Sequence, residues 1–297
     1  MATTHHLKTP EVIVAYDVHG PLPTADGRPP LFMVGAPMGA EGFTTLASLF
    51  ADRTVVTYDV RGIGRSVRTD GSTVQTPEQN ATDHHAVISA LGVGPVEMFA
   101  SSGGAVSALA LITAHPEDVT TVVAHEPPLL TALPDADAAF AAERAVQATY
   151  RQGGYGAGMA AFIGLTSWSG EFTPEYAAQP APDPAQLGMS AEDDGSRDDP
   201  LLSGASDAIT AYRPDLEALR LSRTRLVLAV GIESAGAVPA RATVALAEAL
   251  DQEVVVFPSH HGGFMGGEHG FGGEPEAFAA KLREVLDASP TGGGSQD

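Results

Sequence analysis

The chain has 297 residues, 43% of them hydrophobic, which is enough to bury one large core or two small ones. Its 37 acidic and 16 basic residues give a formal net charge of -21, and this charge repels phosphate backbones and anionic membrane surfaces. We therefore expect no nucleic-acid and no membrane partner. The absence of cysteine excludes disulfides, thiolate metal sites and a cysteine nucleophile.

The first twenty residues contain no recognisable secretory signal. A signal sequence needs a basic start and a sustained apolar run, and the apolar run over residues 12–16 is too short. No run in the chain approaches the length needed to span a membrane. We therefore expect a cytoplasmic protein.

Short valine-rich runs recur between glycine and proline residues, and runs that are apolar on both faces predict buried strands. They are VIVAYDV from Val12, LFMVG from Leu31, TVVTYDV from Thr54, VEMFA from Val96, TVVAHE from Thr121, RLVLAVG from Arg225 and EVVVFP from Glu253. Helical patterns separate most of the later runs, over residues 76–91, 103–115, 240–250 and 275–286. This alternation predicts an α/β fold with a mostly parallel central sheet flanked by helices.

Residues 128–214 interrupt the alternation. A predicted helix over 135–151 leads into a glycine cluster over 153–158. The following stretch, over 179–200, is too polar and too rich in Pro and Asp to pack a core, so we predict a loop there. We interpret residues 128–214 as an inserted helical lid, although an insertion without function would show the same composition.

The remaining chain divides around this insertion. Residues 1–127 and 215–288 carry the predicted strands and form the core domain in our interpretation. The tail over 289–297 is rich in glycine and polar residues, and we expect it to be disordered. No internal repeat is apparent.

The segment ASSGG follows the predicted strand VEMFA and precedes a predicted helix. A nucleophile elbow is a sharp strand-to-helix turn with a strained central residue, and it needs small residues two positions before and two after. Ala100 and Gly104 meet this need around Ser102, whereas a turn centred on Ser101 would place Phe99 where it clashes. Ser102 is therefore the predicted nucleophile; the alternative is an ordinary loop whose glycines serve close packing.

The wider context resembles a known family. VEMFASSGGAVSALALITAHPEDV resembles the strand, elbow and following helix of the α/β-hydrolase superfamily, with Ala100 in place of the more frequent first glycine. VVTYDVRGIGRS, from Val55, resembles the superfamily's Asp-x-Arg-Gly-x-Gly-x-Ser segment. The matches extend over most of residues 11–127 and 215–286. The resemblance implies the α/β-hydrolase fold, a serine-histidine-acid triad, and a small-molecule substrate with no metal or organic cofactor.

The resemblance also implies an oxyanion hole. Acyl transfer builds negative charge on a carbonyl oxygen, which two backbone N–H groups stabilise. The family takes one N–H from the residue after the nucleophile, here Gly103. The second comes from a His-Gly-x-Pro turn that is similar to VGAP at 34–37, which gives this role to the amide of Ala36. Val34 replaces the usual histidine, and the alternative is a simple glycine-rich loop.

A serine hydroxyl becomes a good nucleophile only when a neighbouring imidazole accepts its proton. His261 follows the last predicted strand in FPSHHGGF, where the family places its catalytic histidine in a Pro-small-x-His pattern. His260 is the rival candidate. We interpret five further histidines as solvated surface residues: His5, His6, His19, His84 and His85.

The acid of the triad has two candidates. The family's commonest position, in a Gly-x-x-Asp turn after the penultimate strand, holds Ser234 here, and Glu233 lies one residue earlier. A second family position, used by several haloalkane dehalogenases, is the end of the strand after the elbow helix, which holds Glu126. A carboxylate at a buried strand end before two prolines is hard to explain as a solvated charge. We therefore prefer Glu126 and keep Glu233 as the alternative.

These residues predict a serine hydrolase of carboxylic esters, lactones or related acyl compounds that works through a Ser102 acyl-enzyme. The same triad serves carbon-carbon bond hydrolases, thioesterases and perhydrolases, and some members of the fold only bind ligands. We predict no metal at the site, because His125 and Glu126, as neighbours on a strand, are expected to point to opposite faces.

Overall fold

The strands form one mixed sheet in the computed structural model, which describes residues 2–190, 192–193, 195–270 and 272–288. Within these ranges the strands are β1 (Ala2–Lys8), β2 (Val12–His19), β3 (Leu31–Val34), β4 (Val55–Tyr58), β5 (Val67–Arg68), β6 (Val96–Ser101), β7 (Val119–His125), β8 (Arg225–Gly231) and β9 (Val255–Phe257). Their order in the sheet is β1-β2-β4-β3-β6-β7-β8-β9, and β5 pairs with β2. The pairs from β4 to β9 are parallel, and β2 is antiparallel to its three neighbours.

Helices connect the strands. In the described part of the chain they are α1 (Thr44–Ser48), α2 (Pro77–Leu91), α3 (Gly103–Ala114), α4 (Ala136–Ser167), α5 (Pro174–Ala177), α6 (Asp207–Thr210), α7 (Leu216–Leu221), α8 (Val238–Ala249) and α9 (Pro275–Asp287). α2 begins after Thr76, whose hydroxyl accepts the Gln79 N–H at 3.2 Å, as its Thr-Pro-Glu start predicts. No helix among the described residues is both long and apolar enough to cross a bilayer.

The core occupies both faces of the sheet because successive side chains of a strand point to opposite faces. On β3, Phe32 and Val34 pack with α2, α3 and α8, whereas Leu31 and Met33 pack with α1 and α9. The sheet is therefore a buried layer between two layers of helices. This arrangement confirms the predicted α/β class with a mostly parallel sheet.

All seven predicted strands are present, but β1 and β5 were not predicted. β1 is an exposed, largely polar strand at the edge of the sheet, and β5 has two residues, so neither produces an apolar run. The predicted helix over 135–151 is too short, because α4 continues to Ser167. Only Gly154, with φ 77° and ψ -167°, breaks its helical conformation.

The connection from β7 to β8 contains α4, α5, α6 and α7. An ion pair between Asp135, at the start of α4, and Arg241, on α8, ties this connection to the core helices. The Ala205 carbonyl accepts the Gln75 N–H at 2.8 Å and provides a second tie. The division into a core and a lid over 128–214 stays a prediction, and the tail over 289–297 lies outside the described residues.

Candidate active site

The turn between β6 and α3 holds Ser102 in an unusual backbone conformation. Its φ is 57° and its ψ -130°, a region that L side chains rarely adopt. The Ser102 N–H donates to the His125 carbonyl at 2.9 Å and fixes the turn against β7. Ser101, in contrast, is buried at the end of β6, with its Oγ 3.4 Å from His125 Nδ1. The strained residue is thus the serine that the small-residue spacing selects.

Two glycines allow the start of α3 to pack against the loop after β3. A β-carbon at Gly104 would lie 2.7 Å from the Gly35 Cα and from the Val34 carbonyl oxygen. A β-carbon at Gly103 would lie 2.8 Å from the Ala36 carbonyl oxygen. Any larger residue would therefore push the elbow away from this loop.

This close approach brings the backbone of Ala36 next to that of Gly103. Neither N–H donates a hydrogen bond to any residue that the structure describes. The Gly103 N–H lies in the first turn of α3, where amides have no intrahelical acceptor and the helix dipole favours negative charge. Two N–H donors without a partner among the described residues thus lie at the start of α3, next to Ser102, and such a pair can donate hydrogen bonds to an anionic oxygen.

Glu126 meets His261 across the carboxyl end of the sheet. The side chain of Glu126 is fully buried, and its Oε2 lies 2.6 Å from His261 Nδ1. Its Oε1 accepts the Gly231 N–H at 2.8 Å. Burial raises the pKa of Glu126, but the hydrogen bond from His261, the nearby imidazoles and the Gly231 amide together lower the pKa to about 2. Glu126 is therefore ionised at neutral pH, and Nδ1 of His261 is the donor.

The other acid candidate does not contact the imidazole. Glu233 is exposed, and its backbone N–H donates to the Ser259 carbonyl at 3.0 Å. This bond joins the end of β8 to the loop that carries His261. Ser234, at the family's commonest acid position, is buried. The structure thus brings Glu126 and not Glu233 to His261.

His261 lies on the loop after β9, with 41% of its side chain exposed. Its ring stacks on the ring of His125 with centroids 6.0 Å apart, and the carbonyl of His125 accepts the Ser102 N–H. Ser102 and His261 therefore share one neighbour. The Ser102 hydroxyl makes no hydrogen bond within the described ranges, so it does not contact the imidazole in this conformation.

Structures of hydrolases superpose on nearly the whole chain. A thermophilic esterase from Thermogutta terrifontis is 22% identical in sequence, with 96% of this chain and 98% of the esterase aligned and a TM-score of 0.62. An alpha/beta hydrolase from Sphaerobacter thermophilus is 20% identical, with 95% and 100% of the chains aligned and a TM-score of 0.60. The chain has the α/β-hydrolase fold.

Sequence comparison matches a smaller part of the chain than the structural superpositions do. An uncharacterised hydrolase from Bacillus subtilis, YraK, is 34% identical over 128 residues, which are 43% of this chain and 45% of the relative. The chain thus aligns with less than half of that relative. No family model matches the sequence.

His125 is a neighbour of the candidate site that the sequence did not predict. It is fully buried, and its Nε2 has no hydrogen-bond partner among the described residues. Burial lowers the pKa of His125 to about 4, so its ring is neutral near pH 7. The expectation that His125 and Glu126 point to opposite faces is wrong, since both adjoin His261. Glu126 has already left strand geometry, with φ 50°.

Ile209, on α6, is a second unpredicted neighbour. Its Cγ2 would lie 3.1 Å from a β-carbon at Gly103, and the residue is buried. The two flanking polar residues hold α6 to α4, because Thr210 Oγ1 donates to Glu143 at 2.8 Å and Asp207 accepts from Gln147 at 2.6 Å. The four-residue helix DAIT lies in a polar stretch, so no periodic signal marks it.

The remaining histidines are not all on the surface of the fold. His5 and His6 are exposed, and His19 and His85 are half-buried, but the surface interpretation is wrong for His84. His84 is fully buried on the face of α2 that packs on the sheet, and its Nε2 lies 2.7 Å from the Tyr58 hydroxyl. Burial lowers its pKa to about 3.

Two clefts on this fold lie away from the triad candidates. A cleft of about 710 Å³ lies beside β2 and β4 and is lined by the ion-paired residues Asp17, Asp59 and Arg65. A cleft of about 500 Å³ lies between α4 and residues 172–182 and is largely apolar. Neither is lined by Ser102, Glu126 or His261, so we do not assign either as the acyl site.

Proposed function

We propose that the chain is a serine hydrolase that cleaves carboxylic esters, lactones or related acyl compounds. The observation that carries this proposal is the 2.6 Å hydrogen bond between Glu126 and His261. A buried carboxylate on Nδ1 leaves Nε2 as the proton acceptor, which is the arrangement that activates a serine. The esterase and hydrolase names of similar proteins support the same class of reaction.

The first half of the proposed reaction acylates the enzyme. Ser102 Oγ attacks the substrate carbonyl carbon and transfers its proton to His261 Nε2. The carbonyl oxygen becomes an oxyanion that accepts hydrogen bonds from the N–H groups of Ala36 and Gly103. The carbon-oxygen bond to the alcohol then breaks, and His261 returns its proton to the leaving oxygen.

Deacylation repeats these steps with water as the nucleophile. His261 Nε2 accepts a proton from the water as its oxygen bonds to the acyl carbon, and then returns that proton to Ser102 Oγ as the ester bond breaks. Glu126 stabilises the imidazolium in both halves and stays ionised, because its folded-state pKa is far below neutral. No step needs a metal ion or an organic cofactor.

We also propose that residues 128–214 act as the lid and supply the acyl side of the site. The contact of Ile209 with the start of α3 supports this assignment, because it sets an apolar side chain beside one of the two oxyanion donors. A short or flat acyl group fits beside such a side chain more easily than a long one.

Covalent labelling tests the proposed class. A fluorophosphonate probe should react rapidly with the wild type and with Ser101→Ala but should not react with Ser102→Ala. A folded wild type that stays unlabelled would instead support a ligand-binding member of the fold. A panel of p-nitrophenyl esters of increasing chain length, lactones, thioesters and carbon-carbon substrates then separates the ester hydrolase from the other reactions of this triad.

A further inference from the structure

Two imidazoles and a carboxylate converge outside the active site, where α2 meets the turn after α3. His85 lies on α2, His115 ends α3, and Asp118 belongs to the turn that leads into β7. One ligand atom of each lies within 4.8 Å of the other two. We propose that His85, His115 and Asp118 bind a divalent transition-metal ion of the Zn²⁺ type.

The separations suit one shared ion after small movements. Zn²⁺ holds its nitrogen and oxygen ligands at about 2.0–2.1 Å, which places two tetrahedral ligand atoms roughly 3.4 Å apart. His85 Nδ1 and Asp118 Oδ2 are hydrogen-bonded at 2.7 Å. The ion takes the place of the proton in that hydrogen bond, the two atoms separate by about 0.7 Å, and His115 turns towards them.

The hydrogen bond between His85 and Asp118 explains only part of the cluster. The ring of His115 stacks on that of His85, with centroids 3.8 Å apart and an angle of 13° between the rings. The Nδ1 of His115 lies 3.7 Å from the exposed carboxylate of Glu117. The pair of His85 with Asp118 thus accounts for two of the three groups and leaves His115 with only a distant, exposed partner, whereas a bound ion accounts for all three.

The donor set and its surroundings favour a transition metal. Imidazole is a good ligand for Zn²⁺, Ni²⁺ and Cu²⁺, whereas Mg²⁺ and Ca²⁺ prefer oxygen ligands alone. Asp118 is buried and the two histidines are half-buried, so the carboxylate is fixed while solvent reaches the imidazoles. Glu117 or water can complete the coordination, and the net charge of -21 attracts cations.

The proposed ion is structural. α3 runs from Gly103, beside the elbow, to Ala114, so His115 lies about 20 Å along the helix axis from Ser102. At this distance the ion takes no part in the proposed hydrolysis. It instead crosslinks α2 to the turn between α3 and β7, and its binding should stabilise the folded chain.

Calorimetric titration of Zn²⁺ into the metal-free full-length chain, without an affinity tag, tests the site. We expect one equivalent of Zn²⁺ to bind, and His115→Asn or Asp118→Asn to weaken its affinity at least tenfold. The matched control replaces His5 and His6, the exposed pair on β1, by asparagine and should leave the affinity unchanged. Co²⁺ should give a ligand-field absorption band in the wild type and the control but not in His115→Asn.

A second measurement distinguishes the loss of Zn²⁺ binding from misfolding of a variant. Zn²⁺ at about 100 times its dissociation constant should raise the Tm of the wild type by about 4 °C, but not that of His115→Asn, while the two metal-free proteins unfold alike. The proposal is overturned if the wild type binds no Zn²⁺, or if His115→Asn binds it as tightly. It is equally overturned if the His5/His6 control or His261→Asn, and not His115→Asn, removes binding.

Discussion

Oε2 of Glu126 lies 2.6 Å from Nδ1 of His261, although 135 residues separate the two in the chain. In the proposed triad the acid thus comes from the end of β7, the strand that follows the elbow helix. β8, where the commoner family acid would follow, holds Glu126 instead: the Gly231 N–H donates to its Oε1, and the Ala229 carbonyl accepts its backbone N–H. A side chain at Gly231 would meet the Ser259 carbonyl at 2.6 Å, so glycine allows this close contact.

Glu126→Gln should lower kcat by about 10⁴, because an amide can stabilise the wrong imidazole tautomer and cannot balance the imidazolium charge. Glu233→Gln is the matched control and should lose less than about tenfold, because its side chain is exposed and its charge is screened. Steady-state kinetics on an ester found in the substrate panel measure both. If Glu233→Gln loses most of its kcat and Glu126→Gln loses little, the acid is Glu233.

Ser102→Ala should abolish turnover while the unfolding free energy stays close to that of the wild type, because the hydroxyl makes no hydrogen bond to the described residues. Ser101→Ala should keep most of the activity, since its hydroxyl faces His125 inside the sheet. The measurement is kcat together with urea unfolding of both variants. The reverse pattern of activities would show that the nucleophile is Ser101.

His261→Ala should lower kcat by several orders of magnitude, as expected for loss of a triad base. His260→Ala should have little effect, because its Nε2 contacts the Gly272 carbonyl and not the carboxylate. A mild His261→Ala beside a strongly impaired His260→Ala would assign the base to His260.

The free energy of unfolding should decrease as the pH falls from 7 to 5. The pKa values of buried His84 and His125 are lowered to about 3 and 4, whereas unfolded histidine titrates near 6.5. Below about pH 6.5 the two histidines therefore bind protons in the unfolded state but not in the folded state. The contribution of the two neutral histidines to the free energy of unfolding is complete above about pH 6.5 and is lost as the pH falls towards 4. Between pH 7 and 5 this loss is about 2 kcal/mol per histidine.

Glu143 has the opposite effect on the pH dependence of the unfolding free energy. Burial raises its pKa to about 7, so the folded state takes up a proton before the unfolded state does, which restores about 2 kcal/mol between pH 7 and 5. The wild type should therefore lose about 2 kcal/mol in that interval, and Glu143→Gln should lose about 4 kcal/mol. Urea titrations at the two pH values measure this difference. Equal losses in the two proteins would exclude the contribution of Glu143.

Ile209→Ala should shift the acyl preference towards longer or bulkier esters, because it removes the Cγ2 methyl group beside Gly103. One methylene in an apolar pocket changes discrimination by about tenfold or more, so the ratio of kcat/KM for neighbouring ester lengths should change by that order. Leu221→Ala, at an exposed leucine of α7, is the control and should leave the ratio unchanged. An unchanged ratio in Ile209→Ala would show that Ile209 does not line the acyl side of the site.

The sequence by itself determined the features that depend on near neighbours in the chain. Continuous apolar runs produced all seven predicted strands, because a strand buried between two helical layers needs apolar residues on both faces. The position of the strained turn followed from Ala100 and Gly104, since the elbow's steric demands fall on residues two positions away. β1 was not predicted, because an exposed strand at the edge of the sheet needs no apolar residues and therefore leaves no apolar run in the sequence.

Only the tertiary structure decided which distant groups meet. The sequence favoured Glu126 but kept Glu233 as an alternative, because the choice depends on where β7, β8 and the loop after β9 end relative to one another. The contacts of His125 with His261 and of Ile209 with Gly103 also join segments more than 100 residues apart. Such contacts result from the packing of the whole sheet and its connections, and no local pattern of residues encodes them.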